Sequence, residues 1–279
     1  MKTVTGFAFT ALLSATASLS ALSVASAADL AAPEAAVIES APSPIDVAFG
    51  VKFTTDYVFR GITQSDGDPA VQGYAELQAF DWVYAGIWSS SVNGFVTDPS
   101  AEVDLYAGLR HTWDAFTLDV GGLYYYYPGE AGPKRFQLDY WEIYAKPSYA
   151  IGDLASITGN VYWTSDYVNT GADATYLSAI AKVNLPVDSI PDVGFYVSGE
   201  LGKQWIGKTS DKYGNVNLVN YLTWNAGIGA TYKAATIEFR YSDSDLSRRD
   251  CFTNGNARYA CGDRYMVSLS FDTAFSKLK

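Results

Sequence analysis

The sequence predicts an all-β fold: an antiparallel transmembrane β-barrel, twelve strands, with short periplasmic turns and longer external loops. Three observations predict it: apolar and polar residues alternate along strand-length segments, the connections sort by length, and aromatic residues are abundant, with 21 Tyr, 14 Phe and 7 Trp. A strand of about ten residues, tilted by about 45°, crosses the apolar layer of an outer membrane. No stretch of residues 45–279 approaches the roughly 20 apolar residues that a membrane helix needs.

The N-terminal segment has the pattern of a secretory signal peptide. Lys2 precedes a small and apolar run, and Ala25-Ser26-Ala27 fits a signal-peptidase site, so we expect residues 1–27 to be removed. An uncleaved anchor helix is the alternative. Residues 28–44, rich in Ala and Pro, are expected to form a flexible lead-in, with a short plug as the alternative. The barrel is then expected over residues 45–279.

Alternation with period two locates the strands. In the last strand Tyr265, Val267 and Leu269 share one face, whereas Ser268 and Ser270 share the other. The third and fifth strands are least defined, because they carry large residues on both faces. The predicted spans are 46–60, 70–80, 82–92, 101–111, 116–127, 139–150, 155–165, 174–185, 193–204, 218–232, 235–245 and 263–275.

The connections and the aromatic residues support a membrane barrel over the alternative, a soluble β-sandwich. The connections predicted to be external, such as 205–217 and 246–262, are mostly longer than the periplasmic ones, such as 151–154. Tyr and Trp concentrate near strand ends, as in the aromatic girdles of membrane barrels. The predicted girdle residues are Tyr57, Trp82, Trp113, Trp141, Trp163, Tyr167 and Trp205.

Charged residues on the polar faces are predicted to line the pore. They are Lys52, Glu76, Glu102, Asp104, Arg110, Asp119, Glu142, Lys146, Glu200, Glu238 and Arg240. They would hold water and favour cations mildly in an open channel, or pair with one another in a closed barrel. Five tyrosines share this parity, and they would either form a stacking track for solutes or fill space in a narrow lumen. These are Tyr74, Tyr106, Tyr144, Tyr162 and Tyr196.

A short repeat marks two strand ends. The segment "TTDYVFRG" at 54–61 has a near-copy, "TSDYVNTG", at 164–171, six strands further along the predicted barrel. Duplication of a six-strand half and chance convergence both explain it. The first copy supplies a predicted outer-mouth motif. In this motif Arg60 would either be a luminal charge near the outer mouth, paired with an acid such as Asp56 or Asp66, or contact lipopolysaccharide phosphates. The motif residues are Asp56, Tyr57, Arg60 and Gly61.

The same region resembles a known family. The stretches "DYVFRGITQSDGDPAVQG", "YAGIWSSSV" and "EVDLYAGL" resemble the TorF family of porin-like proteins, which are exported by Gram-negative bacteria. The resemblance covers roughly residues 55–110. It implies a Gram-negative outer-membrane β-barrel with a porin-like role.

Other chemistry has little support in the sequence. Cys251 and Cys261 lie in one predicted external loop, so an oxidising compartment predicts a disulfide between them. We expect no metal site and no cofactor. The single histidine, His111, is expected to be an interface residue. Glu102 and Asp104 have the spacing of a calcium-ligand or acid–base pair, but alternating luminal acids give that spacing anyway, so no catalytic residue and no enzyme activity are predicted.

The partners and the role follow from these features. Acidic residues outnumber basic ones, 30 to 19, which excludes nucleic acid as an expected partner. We expect contact with outer-membrane lipid and lipopolysaccharide, recognition by the barrel-assembly machinery through a strand that ends at Phe275, and a monomer. The expected function is passive diffusion of small hydrophilic solutes, with a structural or surface-interaction barrel that lacks an open pore as the alternative.

Overall fold

The computed structural model describes residues 45–95, 97–131, 137–187, 190 and 192–278. The predicted signal peptide and lead-in lie outside these described residues. Among the described residues, no helix is both long and apolar enough to cross a membrane.

Twelve antiparallel strands form a closed barrel, in which each strand pairs with its neighbours in the chain and β1 closes the ring between β4 and β14. This confirms the predicted fold class. The twelve strands are β1 (Ile45–Thr54), β4 (Ala70–Ala79), β5 (Val83–Ser90), β6 (Glu102–Trp113), β7 (Phe116–Tyr126), β8 (Tyr140–Ile151), β9 (Ala155–Thr164), β10 (Ala174–Leu185), β11 (Val193–Ile206), β12 (Tyr221–Tyr232), β13 (Ala235–Ser244) and β14 (Arg264–Ala274).

The remaining elements are short and lie in the connections. Strands β2 (Val58–Phe59) and β3 (Ile62–Thr63) form a two-stranded hairpin between β1 and β4. Helix α1 spans Arg248–Thr253. Single 3₁₀ turns occupy Tyr167–Asn169, Asp211–Tyr213 and Phe275–Lys277.

Side chains alternate between the two faces of the barrel wall as the sequence pattern predicts. Apolar side chains on the outer face are about half exposed, for example Phe53 at 48% and Leu105 at 50%. Polar side chains on the inner face are buried, and Glu76 and Asp104 are both 0% exposed. A charge on the outer face at mid-depth in lipid would cost about 2–4 kcal/mol, so this arrangement suits a lipid environment.

The structure resolves the ambiguity in the third and fifth barrel strands. In β5 the side chains of Tyr84 and Trp88 face the lumen and are buried, whereas Ile87 faces outward. In β7 Tyr125 faces inward and Tyr124 outward. Both strands are therefore aromatic or apolar on both faces because the barrel interior itself contains a cluster of aromatic side chains.

Most strand ends lie within three residues of the predicted spans, and the end of the first strand differs most. The first strand was predicted over 46–60, but β1 ends at Thr54 and the chain then turns into the hairpin of β2 and β3. The last strand ends at Ala274, and Phe275 begins a 3₁₀ turn. There Ser276 donates its hydroxyl to Asp46 Oδ2 at 2.5 Å, which fastens the C-terminal turn to the start of β1.

The two ends of the barrel carry connections of different length. The connections at one end, here called the long-loop end, are 55–69, 91–101, 127–139, 165–173, 207–220 and 245–263. Those at the other end, the short-turn end, are 80–82, 114–115, 152–154, 186–192 and 233–234. The sequence prediction of this sorting is confirmed.

Candidate functional site in the barrel lumen

The hairpin formed by β2 and β3, here called the luminal hairpin (Val58–Thr63), folds back into the barrel. Its side chains are buried, and Val58 and Arg60 are each only 1% exposed. The turn places Arg60 at φ 47° and Gly61 at φ 78°. Positive φ at both central residues is the mark of a type I′ turn, which normally selects Asn-Gly. Arg at the first position costs about 1–2 kcal/mol, so its side chain must gain contacts that offset this cost.

Asp56 fixes the base of the luminal hairpin. Its Oδ1 accepts hydrogen bonds from Thr63 Oγ1 at 2.5 Å and from Ser65 Oγ at 2.9 Å. Its Oδ2 lies 3.8 Å from Arg264 Nη1 on the neighbouring strand β14. Next to the paired residues of the hairpin, the Gln64 backbone amide donates to the Tyr57 carbonyl at 2.7 Å. The carboxylate therefore joins the two arms of the hairpin and ties them to the wall.

The Arg60 side chain reaches across the lumen to the opposite wall. Its Nη1 and Nη2 donate to the two carboxylate oxygens of Glu142 at 2.9 and 2.8 Å, and Nη1 also donates to Gln204 Oε1 at 3.1 Å. The guanidinium carbon lies 4.9 Å from the ring centre of Tyr162 and 4.5 Å from that of Tyr176. Glu142, Tyr162, Tyr176 and Gln204, one each from β8 to β11, are called the guanidinium cage.

More carboxylates lie next to the guanidinium cage. Tyr125 donates to Glu142 Oε2 at 2.9 Å, while Glu102 accepts from Tyr57 at 3.0 Å and from Tyr127 at 3.1 Å. Burial, and then the charge of Glu102, raise the pKa of the Tyr57 hydroxyl well above its usual range, so it stays a donor. Asp104 is 0% exposed, and neither of its carboxylate oxygens has a hydrogen-bond partner among the described residues.

A second group of charges lies on strands β4 to β8. Arg110 bridges Glu76 and Asp119, with N–O distances of 3.0 Å to each. Asp119 also lies 3.8 Å from Lys146 Nζ, and it accepts a hydrogen bond from the Tyr84 hydroxyl. These charges form a paired network, in contrast to Asp104.

A third group lies on the opposite wall, on strands β11 to β13. Arg240 donates to Glu238 at 2.7 Å, to Asn225 at 2.5 Å and to Ser198 at 2.7 Å. Tyr196 donates to Glu238 at 2.8 Å. A small cavity of about 10 Å³ lies beside this group and is also lined by Val58 of the luminal hairpin and by Asp56 and Tyr57 at its base. The hairpin is therefore packed closely against the wall but leaves a gap on this side.

The structure places the residues predicted to line the pore on the inner face. Arg110, Lys146, Lys52 and Tyr74 are partly buried. The others are buried: Glu76, Glu102, Asp104, Asp119, Glu142, Glu200, Glu238, Arg240, Tyr106, Tyr144, Tyr162 and Tyr196. Their role as the lining of an open pore stays a prediction. In this structure many of them bond to one another.

Several inward-facing residues were missed. Lys182 and Gln204 share the parity of luminal positions on their strands, so the alternation alone could have found them. Trp88 and Tyr125 were missed because β5 and β7 carry large residues on both faces, whereas Tyr176 shares the parity of Lys182 and could have been found in the same way. Lys182 and Arg60 add two basic side chains to the interior, and Asp56 and Asp272 add two acidic ones. Acidic side chains therefore still outnumber basic ones in the interior.

The structure corrects part of the prediction for the Asp-Tyr-Val-Phe-Arg-Gly motif. Tyr57 was placed in the aromatic girdle, but the segment folds into the lumen, where Tyr57 is 2% exposed. Arg60 is a luminal charge paired with an acid, as in one of the two expectations, but its partner is Glu142 on the far wall and not Asp56 or Asp66. Aromatic contacts draw the segment inward: the Tyr57 and Trp88 ring centres are 5.5 Å apart.

The predicted disulfide is confirmed, and it lies above the luminal hairpin. Cys251 in α1 and Cys261 are bonded, with their Cα atoms 5.9 Å apart. Both sulfur-bearing side chains are buried in a cluster that includes Ile62 of the hairpin. The Thr63 amide donates to the Ala260 carbonyl at 3.0 Å. The disulfide loop therefore holds the outer side of the hairpin.

His111 lies at the short-turn end, remote from these groups. Its ring stacks on Trp82 with centroids 4.0 Å apart and meets Trp113 edge-on at 4.7 Å. Its Nδ1 lies 3.2 Å from the Asp81 carbonyl oxygen. Among the described residues, no group of three or more His, Cys, Asp or Glu side chains could hold a metal ion.

Comparison with known proteins places the chain in a family. A model described as "Bacterial protein of unknown function (Gcw_chp)" matches residues 38–273. The chain belongs to this family. The matching model does not carry the name TorF, so that similarity stays a resemblance. None of the curated proteins is similar enough to match the Gcw_chp chain.

Solved structures of other barrels are similar in part. The KdgM porin is 8% identical, covers 81% of this chain and 98% of its own, and has a TM-score of 0.48. The NanC porin is 14% identical with the same coverage and a TM-score of 0.43. LpxR from Salmonella typhimurium is 8% identical, covers 81% of this chain and 99% of its own, and has a TM-score of 0.43.

Proposed function

We propose that this Gcw_chp protein is a narrow channel of the bacterial outer membrane, which passes small hydrophilic solutes with a mild preference for cations. The observation that carries the proposal is the unpaired luminal carboxylate of Asp104, which lies beside Glu102 and Glu142. A buried carboxyl group without a hydrogen-bond partner is costly in a dry interior, and it is tolerated where water or a passing cation can reach it.

One observation favours a second candidate, a barrel without an open pore. The luminal hairpin crosses the lumen, and the bidentate pair of Arg60 and Glu142 holds its tip against the far wall. A permanently seated hairpin would leave a structural barrel, whose long loops could contact lipopolysaccharide or an external partner. A hairpin that leaves its seat would open the channel. The two candidates therefore differ in the mobility of residues 55–69.

Single-channel recording separates the two candidates. Refolded protein in a planar bilayer, under a KCl gradient, is compared with a variant in which residues 57–64 are replaced by a short Gly-Ser linker. Heat-modifiable migration on gels shows that each protein is folded. We expect brief openings of the wild type, longer openings of the variant, and a reversal potential on the cation side.

Each alternative outcome has a clear meaning. If both proteins are folded and inserted but neither conducts, the channel is refuted and the structural barrel is favoured. Steps with anion preference would keep the channel and remove the proposed role of Asp104 and its neighbours.

The proposed cellular setting follows from the barrel and stays part of the proposal. The apolar outer face would contact outer-membrane lipid, and the long-loop end would face lipopolysaccharide. The barrel-assembly machinery would read the C-terminal end of the last strand, directly after which Phe275 packs against Phe49 with ring centres 5.2 Å apart. A monomer is proposed. No catalytic role is part of the proposal.

A further inference from the structure

The guanidinium cage belongs to the barrel wall and not to the hairpin. Its four residues come from adjacent strands, β8 to β11, whose pairing fixes their positions. Glu142 also accepts a hydrogen bond from Tyr125 on β7, so its carboxylate is held in place from a second direction. Arg60, in contrast, comes from a connection that begins where β1 ends. The cage is thus a built receptor, and Arg60 is its internal ligand.

The chemistry of the cage selects a particular class of cation. A carboxylate that accepts two parallel N–H bonds matches a planar guanidinium, which carries donors in a fixed fork. The amide oxygen of Gln204 accepts a further N–H, and the faces of Tyr162 and Tyr176 add cation–π attraction. A small, strongly hydrated metal ion would use neither the fork nor the rings. A primary ammonium would use only part of this set.

Arg60, which fills the guanidinium cage, has a backbone conformation that does not suit an arginine. Arg60 has φ 47° in a turn that favours Asn, so its backbone is strained at a cost in free energy. This cost lowers the net free energy that holds the hairpin in the cage. A solute that presents the same group without the strain can therefore compete with Arg60 for Glu142.

We propose that the guanidinium cage is a recognition site for guanidinium-bearing solutes, and that such a solute displaces Arg60 and takes its place in the lumen. This inference rests on the proposed channel function and names a substrate class for it. The luminal hairpin then acts as a tethered competitor. An entering guanidinium would free the hairpin tip, and a neutral solute of the same shape would not.

Binding to a vacated cage tests the recognition site without requiring a conducting pore. Arg60→Asn removes the guanidinium and creates Asn-Gly, the favoured type I′ pair, so the hairpin is expected to keep its fold. Isothermal calorimetry in detergent micelles then measures methylguanidinium, with methylurea as the neutral control. We expect Arg60→Asn to bind methylguanidinium at least tenfold more tightly than the wild type does, and methylurea not at all.

A matched pair of acid variants locates the binding. In the Arg60→Asn background, Glu142→Gln should weaken methylguanidinium binding about tenfold or more, since it removes the bidentate carboxylate. Glu76→Gln makes the same charge change outside the cage, where Glu76 pairs with Arg110, and should retain the binding. Equal affinity of Arg60→Asn for methylguanidinium and methylurea would overturn the recognition site. Equal losses in the two acid variants would overturn it as well.

Transport by the wild type tests the substrate class. Proteoliposomes are given L-arginine or L-citrulline, which differ in having a guanidinium or a neutral urea group at the same position. We expect arginine to enter several-fold faster, and this ratio to fall toward one in Glu142→Gln but to persist in Glu76→Gln. Equal entry of the two solutes into wild-type vesicles would overturn the substrate class. Entry of neither would refute the channel itself, and the calorimetry then decides the cage alone.

Discussion

Residues 54–61 and 164–171 begin alike and end in different places. Each segment begins with a threonine that is buried at the end of its strand, Thr54 or Thr164. Each closes with a glycine at almost the same positive φ, 78° and 79°. Yet the first segment enters the lumen as a hairpin, whereas the second makes a 3₁₀ turn, Tyr167–Asn169, at the barrel rim. The shared residues therefore set how the chain leaves a strand and not where it goes.

The differing residues decide the destination. Phe59 and Arg60 stand where the second copy has Asn169 and Thr170. Phe59 packs against the inward ring of Tyr125, with centroids 6.0 Å apart. Asn169, by contrast, donates to the Gln137 carbonyl at 2.9 Å in the neighbouring rim connection. An aromatic ring and a cation find partners in this lumen, whereas an amide finds them among exposed loop carbonyls.

Removal of the cation should have the largest effect. Arg60→Ala leaves the Glu142 carboxylate buried without its cation, and breaking a buried pair from one side costs about 3–5 kcal/mol. Thr170→Ala, at the equivalent place in the second copy, removes a hydroxyl bond to the Tyr167 carbonyl and should cost about 1 kcal/mol. Urea unfolding in micelles measures both free energies of unfolding.

The double variant Arg60→Ala with Glu142→Gln is the control for this comparison. It removes the stranded charge, so much of the lost stability should return, as a double-mutant cycle would reveal. Equal costs of Arg60→Ala and Thr170→Ala would mean that the pair contributes no more than a loop hydrogen bond. The contrast between the two copies would then lose its energetic basis.

Removal of the disulfide should affect the first copy selectively. Cys251→Ser with Cys261→Ser opens a loop of about 11 residues and should lower the free energy of unfolding by about 3 kcal/mol on the chain-entropy model. The same loop accepts the Thr63 amide through the Ala260 carbonyl. Hydrogen exchange at Thr63 should therefore speed up, while exchange at the Thr170 amide, bonded to the Tyr167 carbonyl, should not.

The outcome at these two amides sharpens the comparison. Selective exchange at Thr63 would show that the disulfide loop seats the hairpin. Acceleration at both amides would indicate that the whole long-loop end loosens, and that the hairpin has no separate support.

The wall was predictable because alternation is a local signal. Lys52, Glu142 and Arg240 each face the lumen as parity requires, since a strand has only two faces. Parity failed in practice only where aromatic residues occupy both faces, as in β7. There the reason is physical, because this interior is itself aromatic, so apolar character no longer distinguishes lipid from lumen.

The luminal hairpin was not predictable from the same signal. Tyr57, Val58 and Phe59 have the β-branched and aromatic character of a strand, so they read as a continuation of β1. Arg-Gly is not among the residue pairs that predict a type I′ turn. The contact that stabilises this turn is the hydrogen bond from Arg60 to Glu142, which is 82 positions away in the sequence. Only the closed ring brings the two together.

The smallest expected effect concerns the aspartate that both copies share. Asp56 accepts two hydroxyl hydrogen bonds inside the barrel, from Thr63 and Ser65, whereas Asp166 accepts one from the Gly171 amide, at 2.6 Å, at the exposed rim. Asp56→Ala strands two buried hydroxyls and should cost about 2 kcal/mol, and Asp166→Ala about 0.5–1 kcal/mol. Urea unfolding of the two single variants measures this difference. If both cost the same, the aspartate only shapes the exit from the strand, and the seating of the hairpin depends on Arg60 and the disulfide loop alone.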